Sequence, residues 1–334
     1  MGWRISEQRE IHQPVLLREV IHWLRPEQGG TFIDCTLGLG GHAEAMLDAS
    51  GRTRLIGLDR DPEALELARS RLGRFGERVQ TVHASFANLL SVTGQLGVTN
   101  VRGVLADLGV SSLQLDQSER GFSFASDDDS PLDMRMDPGG GETAAELVNR
   151  LTERELADLI FEYGEERGSR KIARRIVRER DVEPVTGTKR LADIVIRALN
   201  VRGRWRIHPA TRTFLALRIA VNGELDALSS LIPAAIDVLV TGGRLAIISF
   251  HSLEDRIAKR AFQRESGRCV CEDSHRGRIQ TANVEDSVGA MICRGCGAQR
   301  RVAILTRKPV RPAEDEVARN PRSRSALLRV CEKL

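Results

Sequence analysis

Two acids and two glycines carry the first chemical signal in this chain. Asp34 stands four residues before Gly38 in the run Phe32-Ile33-Asp34-Cys35-Thr36-Leu37-Gly38-Leu39-Gly40-Gly41-His42, giving an Asp-x-x-x-Gly-x-Gly pattern. Glycines in a turn between strand and helix let the backbone approach a ligand closely. The acid narrows the choice of ligand, because a carboxylate here suits a cationic amino-acid moiety better than a pyrophosphate. That moiety belongs to methionine-sulfonium cofactors such as S-adenosylmethionine. Asp59 follows 25 residues after Asp34, where an acid accepts both hydroxyls of a ribose, a role also known in dinucleotide enzymes. Phe86 and Asp107 close two later apolar runs; Phe86 is suited to lining an adenine pocket and Asp107 to facing the cofactor. A nicotinamide enzyme, or a generic nucleotide site with scattered acids, is the alternative, and the spacings favour the methyl donor.

These residues need a scaffold that brings strand ends together. Residues 31–37, 54–59, 79–86 and 101–108 read as strands, with helical patterns between them, beginning at residues 41–47. Asp61-Pro62-Glu63 is a helix start: the Asp caps free amides, the Pro suits the first position, and the Glu favours the positive end. Alternating strands and helices with short loops predict a parallel sheet covered on both faces. Ligands in such sheets bind outside the carboxyl ends of the strands.

After Ser112 the pattern changes. Residues 121–141, rich in Asp, Ser, Pro and Gly, read as a loop, and helical patterns follow at 143–150, 152–163, 166–180 and 187–199. Thr152 and Glu155 match a capping box. Strand signals return at 243–250 and 302–306. The reading is an α/β, Rossmann-like sheet (1–125 and 214–334) interrupted by a helical insertion (126–213), with a Cys-rich insertion at about 266–298 and a basic tail.

A charge of +4 does not by itself imply nucleic acid, but its distribution is uneven. Residues 167–206 hold 13 Lys/Arg against 4 Asp/Glu, and residues 300–334 hold 10 against 4. Such stretches serve as phosphate contacts or as solvated helix faces. No apolar run approaches the roughly 18–20 residues that span a bilayer. Residues 1–10 lack the apolar core of a secretory signal. Six cysteines in 334 residues do not make a disulfide scaffold, so a cytoplasmic protein with reduced thiols is expected.

Several separated motifs together resemble the MraW/RsmH family of ribosomal RNA small-subunit methyltransferases. They are His12-Gln13-Pro14-Val15-Leu16-Leu17, the run from Asp34 to His42, Gly57-Leu58-Asp59-Arg60-Asp61-Pro62, and Ala106-Asp107-Leu108-Gly109-Val110-Ser111-Ser112 with Gln114-Leu115-Asp116. Arg120-Gly121-Phe122-Ser123-Phe124 and Pro131-Leu132-Asp133-Met134-Arg135-Met136-Asp137 follow. Further on come the twelve residues from Thr211 to Asn222, Ser249-Phe250-His251-Ser252-Leu253-Glu254-Asp255-Arg256, and Asn320-Pro321-Arg322-Ser323-Arg324-Ser325. The resemblance covers nearly the whole chain. It implies a methyltransferase sheet with a helical insertion and cofactor contacts at Gly40, Gly41, His42, Asp59, Phe86, Asp107 and Gln114. It also implies methylation of 16S rRNA in the small ribosomal subunit, at N4 of the decoding-centre cytidine 1402.

Methylating an exocyclic amine requires orienting it in line with the sulfonium methyl and accepting a proton. The expectation is that residues 108–112, including Ser111, hold the amine while Asp107 polarises the site. Ser249 and His251, after the fifth strand, are candidates for the base pocket, with helix capping as the other reading of His251. The target base must leave its stack. The basic insertion helices and the basic tail are expected to grip RNA, and Trp205, among Arg202, Arg204 and Arg206, either stacks on a base or anchors a core. Cys269-x-Cys271 and Cys293-x-x-Cys296, with 21 residues between the pairs, have the spacing of a structural zinc site. His275 is a substitute ligand, and free thiols or a disulfide are the alternatives. The resemblance does not call for metal in methyl transfer. Monomer and homodimer are both compatible with the sequence, and no membrane partner is expected. Competing functions are methylation of another nucleobase or of protein, and a nonenzymatic RNA-binding assembly factor. The chain lacks Asn-Pro-Pro-Tyr after the fourth strand, and its intact Asp34, Gly38, Gly40 and Asp59 argue against a decayed pocket.

Overall fold

The computed structural model describes residues 14–124, 129–200, 207–271, 283–285, 291–293 and 295–334. The chain forms two units, one made of the residues up to Gly109 and from Ala227 onward, the other running from Val110 to Asp226.

The first unit begins α1 (Leu17–Leu24), β1 (Gly30–Asp34), α2 (Gly41–Asp48), β2 (Thr53–Asp59), α3 (Pro62–Leu72), β3 (Val79–His83), α4 (Leu89–Gln95) and β4 (Val101–Asp107). The strands are nearly continuous apolar runs because both faces are covered. Ile33, Ile56, Leu58, Val104 and Ala106 pack into one core layer. Their strand neighbours Phe32, Leu55 and Leu105 pack into the other. The helix start after β2 forms as expected: the Asp61 carboxylate accepts from the Glu63 amide at 3.1 Å, and Pro62 opens α3.

The second unit holds α5 (Ser112–Asp116), α6 (Ala144–Arg150), α7 (Glu153–Gly164), α8 (Ser169–Arg180), α9 (Thr188–Leu199) and α10 (Thr211–Asn222). Leu156, Ile160, Ile172, Ile176, Leu191, Val195 and Leu217 build a core of its own. Thr143 with Glu146 and Thr152 with Glu155 form capping boxes at the starts of α6 and α7. The polar loop expected before α6 is pinned. Asn222 Nδ2 donates to the Met134 carbonyl at 2.8 Å, and its Oδ1 accepts from the Met136 amide at 2.9 Å.

The chain continues with α11 (Glu224–Val238), β5 (Leu239–Ser249) and α12 (Ser252–Glu265), then a β6 (Asn283–Glu285) and β7 (Met291–Cys293) hairpin. It ends with β8 (Val302–Ile304), α13 (Glu314–Arg319) and β9 (Leu327–Lys333). The main sheet has the order β3-β2-β1-β4-β5-β9-β8; β1 to β5 are parallel, and β9 runs antiparallel to both its neighbours. The expected Rossmann-like α/β sheet with a helical insertion is present.

Two expectations change. The boundaries read from composition, at 125/126 and 213/214, lie at Gly109/Val110 and Asp226/Ala227. Phe122, Leu132, Met134 and Met136 belong to the helical core, so apolar packing overrides the polar look of that segment. The basic tail is in part a strand. Residues 327–333 are an interior strand with Leu328, Val330 and Cys331 buried. Part of the tail's charge is answered within the fold, while Arg307, Lys308, Arg311, Arg322 and Arg324 are exposed. Arg329 forms a two-pronged pair with Asp255 at 2.7 and 3.0 Å. Arg301 pairs with Glu265 at 3.1 Å and also with Asp237, and Lys333 donates to the carbonyls of Asp237 and Leu239.

Candidate functional site

The order of the parallel strands reverses between β1 and β4, and ligands in open α/β sheets bind outside the carboxyl ends of strands at such a point. Asp34, Asp59 and Asp107 are the last residues of β1, β2 and β4. Three neighbouring strands therefore present three acids at one end of the sheet.

Each acid is held differently. Asp34 is 1% exposed and accepts a hydrogen bond from the Thr36 amide at 3.1 Å. Burial raises its pKa to about 6, against the lowering pull of His42 and the Thr36 amide. Asp59 accepts from the Gly38 amide at 2.7 Å with one oxygen and from the Asp61 amide at 2.9 Å with the other. Burial nonetheless raises its pKa. A carboxylate offers about four acceptor sites, so Asp59 retains capacity for a hydroxyl donor. Asp107 lies across from His42, with Oδ2 3.6 Å from Nε2. Among the described residues, Asp107 Oδ1 and both His42 ring nitrogens are buried with no hydrogen-bond partner. Buried polar atoms are nearly always satisfied, so this pair, like the two His251 ring nitrogens in the same unit, is open to a ligand.

The glycine loop turns where the sequence requires. Gly38 and Gly40 take positive φ values of 50° and 78°, which side chains disfavour. Gly40 caps α2, so the Gly41 and His42 amides open that helix. Behind the loop, Arg71 joins Glu44 at 2.6 Å and Arg74 joins Asp48 at 2.6 Å, bracing α2 on α3. Phe86 is half-buried in the turn after β3 and packs on the core. The Ala84 amide donates to the Asp59 carbonyl at 2.9 Å, which fixes the start of that turn beside β2.

One contributor was missed from the sequence. Thr36 Oγ1 accepts from the Asp107 amide at 2.7 Å, tying the loop after β1 to the end of β4. A hydroxyl lying between the acid and the first glycine was the only available signal.

Ser249 ends β5, the parallel neighbour of β4, and His251 follows it, at the same end of the sheet as the acids. Ser111 and Gln114 belong to the second unit, where they form the capping box of α5 with bonds of 3.0 and 3.3 Å. His251 is the N-cap residue of α12, with Nε2 3.1 Å from Glu254 Oε1 and, among the described residues, both ring nitrogens buried without a hydrogen-bond partner. Ser249 is 1% exposed and donates to the Leu327 carbonyl at 3.3 Å. Its hydroxyl is thus spent on β9, which does not fit the expected base-pocket role. Within the second unit, Arg167, Arg170, Lys171, Arg174 and Arg178 are exposed while Ile172, Ala173 and Ile176 are buried. That spacing makes a basic stripe along α8. Trp205, Arg202, Arg204, Arg206, His275, His12 and Gln13 lie outside the described residues.

The set at the carboxyl ends suits a cation bearing a ribose: buried acids for the positive groups, Asp59 for a diol, and unpartnered Asp107 and His42 atoms for further polar groups. S-adenosylmethionine has that chemistry.

Comparison with known proteins points in the same direction. The model of the MraW methylase family matches residues 9–334. The Ribosomal RNA small subunit methyltransferase H of Pelobacter propionicus is 49% identical over 327 residues, covering 97% of this chain and 98% of its own length. The protein of the same name from Heliobacterium mobile is 46% identical over 326 residues, covering 97% and 99%. The crystal structure of an rRNA methylase from Streptococcus thermophilus aligns over 98% of this chain and 99% of its own, with 11% identity and a TM-score of 0.39.

Proposed function

The chain belongs to the MraW methylase family, and from that premise we propose that it transfers a methyl group from S-adenosylmethionine to N4 of cytidine 1402 in 16S rRNA. The observation that carries the reading is the row of strand-end acids, with Asp107 Oδ1 and the His42 ring nitrogens unpartnered among the described residues at its β4 end. The relatives' name supports the choice of small-subunit rRNA, and the series of family motifs from residue 12 to residue 325 supports the choice of cytosine N4.

In this reading Asp34 answers the cationic end of the cofactor, Asp59 accepts the ribose hydroxyls, and Phe86 covers the adenine. The helix-opening amides of Gly41 and His42 receive the cofactor's carboxylate. When bound, the cofactor supplies an electrophilic methyl on a positive sulfur. Asp107 orients the amine, with Oδ1 accepting one of its protons and His42 holding the carboxylate in place. The parts of Ser111 and Gln114 in amine and cofactor binding rest on the family resemblance, and the same holds for His251 as a further catalytic candidate. The exposed stripe on α8 contacts RNA phosphates. A cytoplasmic location follows from the substrate.

Labelled methyl transfer to small subunits from cells lacking the enzyme, followed by nucleoside analysis, tests the reading. N4-methylcytidine in 16S rRNA is the expected product. Label in another nucleoside would move the proposal to another nucleobase, and absence of label would favour a nonenzymatic assembly factor.

A further inference from the structure

We infer that Cys269, Cys271, Cys293 and Cys296 form a structural zinc site that staples the excursion between α12 and β8, independently of the methyl-transfer centre. The four sulfurs all lie within 4.8 Å of one another. Cys269 stands 3.6 Å from Cys293 and 3.8 Å from Cys296, and Cys271 stands 3.9 Å from Cys293. A tetrahedron of thiolates at about 2.3 Å from zinc has edges of about 3.8 Å. Two disulfides would sort the same atoms into two bonded pairs at about 2.05 Å. Here Cys269 and Cys293 each have two close sulfur neighbours, which is the pattern of a shared centre.

The surrounding backbone is shaped to the cluster. A Cβ on Gly295 would come within 2.7 Å of the Cys271 sulfur, so the turn between Cys293 and Cys296 closes on that sulfur only with glycine. The Val270 amide donates to the Cys296 sulfur at 3.5 Å. The Gly297 amide returns to the Cys293 carbonyl at 2.8 Å, completing a tight turn across the second pair. Outer hydrogen bonds of this kind orient metal-bound groups.

The base of the excursion is tied where the Arg301 amide donates to the Glu265 carbonyl at 2.7 Å and the Gln299 amide to the Arg264 carbonyl at 3.1 Å. Beyond that base, β6 and β7 pair only with each other among the described residues. A two-stranded hairpin is marginal alone in water, and small modules lacking a core recruit metal or disulfides. Zinc suits four soft ligands and, with all four positions filled by protein, leaves none open for substrate.

The test is the metal content of the full-length protein purified without chelator. About one zinc per chain is expected, released when a mercurial reagent titrates the thiols. Cobalt(II) in its place should show sulfur-to-metal charge transfer and the intense visible bands of tetrahedral tetrathiolate. Cys271→Ser and Cys296→Ser should each lose the zinc and lower Tm by about 5–10 °C, whereas Cys331→Ala keeps it. Should the wild-type protein hold less than about one zinc per five chains, with four free thiols or mapped disulfides in this region, the site is overturned. Neither outcome depends on methyl transfer.

Discussion

Buried charge has opposite fates at two places in the sheet-bearing unit. At the carboxyl ends of β1, β2 and β4, Asp34 and His42 are buried, and Asp107 Oδ1 and the His42 nitrogens have no partner among the described residues. Around β9, the buried guanidiniums are answered. Arg329 meets Asp255 at 2.7 Å; Arg244 meets Glu332 at 2.9 Å and also donates to the Trp23 carbonyl at 2.6 Å. A satisfied pair makes the fold specific, and the penalty comes from breaking it. An unsatisfied one costs stability as it stands and is kept for a ligand. The difference separates a site from a scaffold.

The largest effect should come from the unsatisfied end. Asp107→Ala should lower methyl transfer to immature small subunits at least a thousandfold, about 4 kcal/mol, with Tm unchanged or higher. A near-normal rate would remove Asp107 from the site. At the satisfied end the signature reverses. Arg329→Ala leaves Asp255 without its buried partner, and urea unfolding should show a loss of about 3 kcal/mol, while activity per folded molecule persists. If stability held and activity fell, the two regions would not differ as described.

Asp34 tests the comparison through pH. Its folded pKa of about 6 lies above its ordinary 3.8. The associated stability is therefore fully present below about pH 3.8 and is lost as pH rises through about 6, by about 3 kcal/mol. Asp34→Asn should flatten that part of the stability profile. The same titration governs a cationic ligand: S-adenosylmethionine should bind the wild type about tenfold more weakly at pH 5 than at pH 7, and calorimetry across that range would show it. A flat profile would mean that the cation is met elsewhere.

The smallest effect on stability belongs to α8. Reversing Arg170, Arg174 and Arg178 to Glu should leave Tm within about 2 °C, since all three are exposed. RNA affinity should fall, and its salt slope should drop by about 0.7–0.9 for each phosphate no longer neutralised. Unchanged affinity and slope would make the stripe a merely solvated face.

The sequence was informative where local chemistry decides structure. Asp61-Pro62-Glu63 starts α3, Thr152 and Glu155 cap α7, and the apolar runs ending in Asp34, Asp59 and Asp107 are strands. It misled where local composition and tertiary context disagree. Residues 327–333 look like part of a charged tail because Arg329, Glu332 and Lys333 interrupt the apolar pattern. They form a strand because β5 and β8 leave a slot between them; Asp255 and Arg244 neutralise Arg329 and Glu332, and Lys333 donates to the Asp237 and Leu239 carbonyls. Ser249 follows a strand as the acids do, yet it turns to β9, whose position no local pattern reveals.

By itself, then, the sequence determined the family, the alternation of strand and helix, and the acids and glycines of the strand ends, because these depend on residue type and short spacing. Only the tertiary structure decided which charges are satisfied. Thr36 reaches across to the Asp107 amide over a separation of 71 residues, Arg329 finds Asp255 over 74, and the two cysteine pairs close to within 4.8 Å. Such pairings arise from the order of strands in the sheet and the return path of the chain, which the burial of apolar area over the whole unit selects.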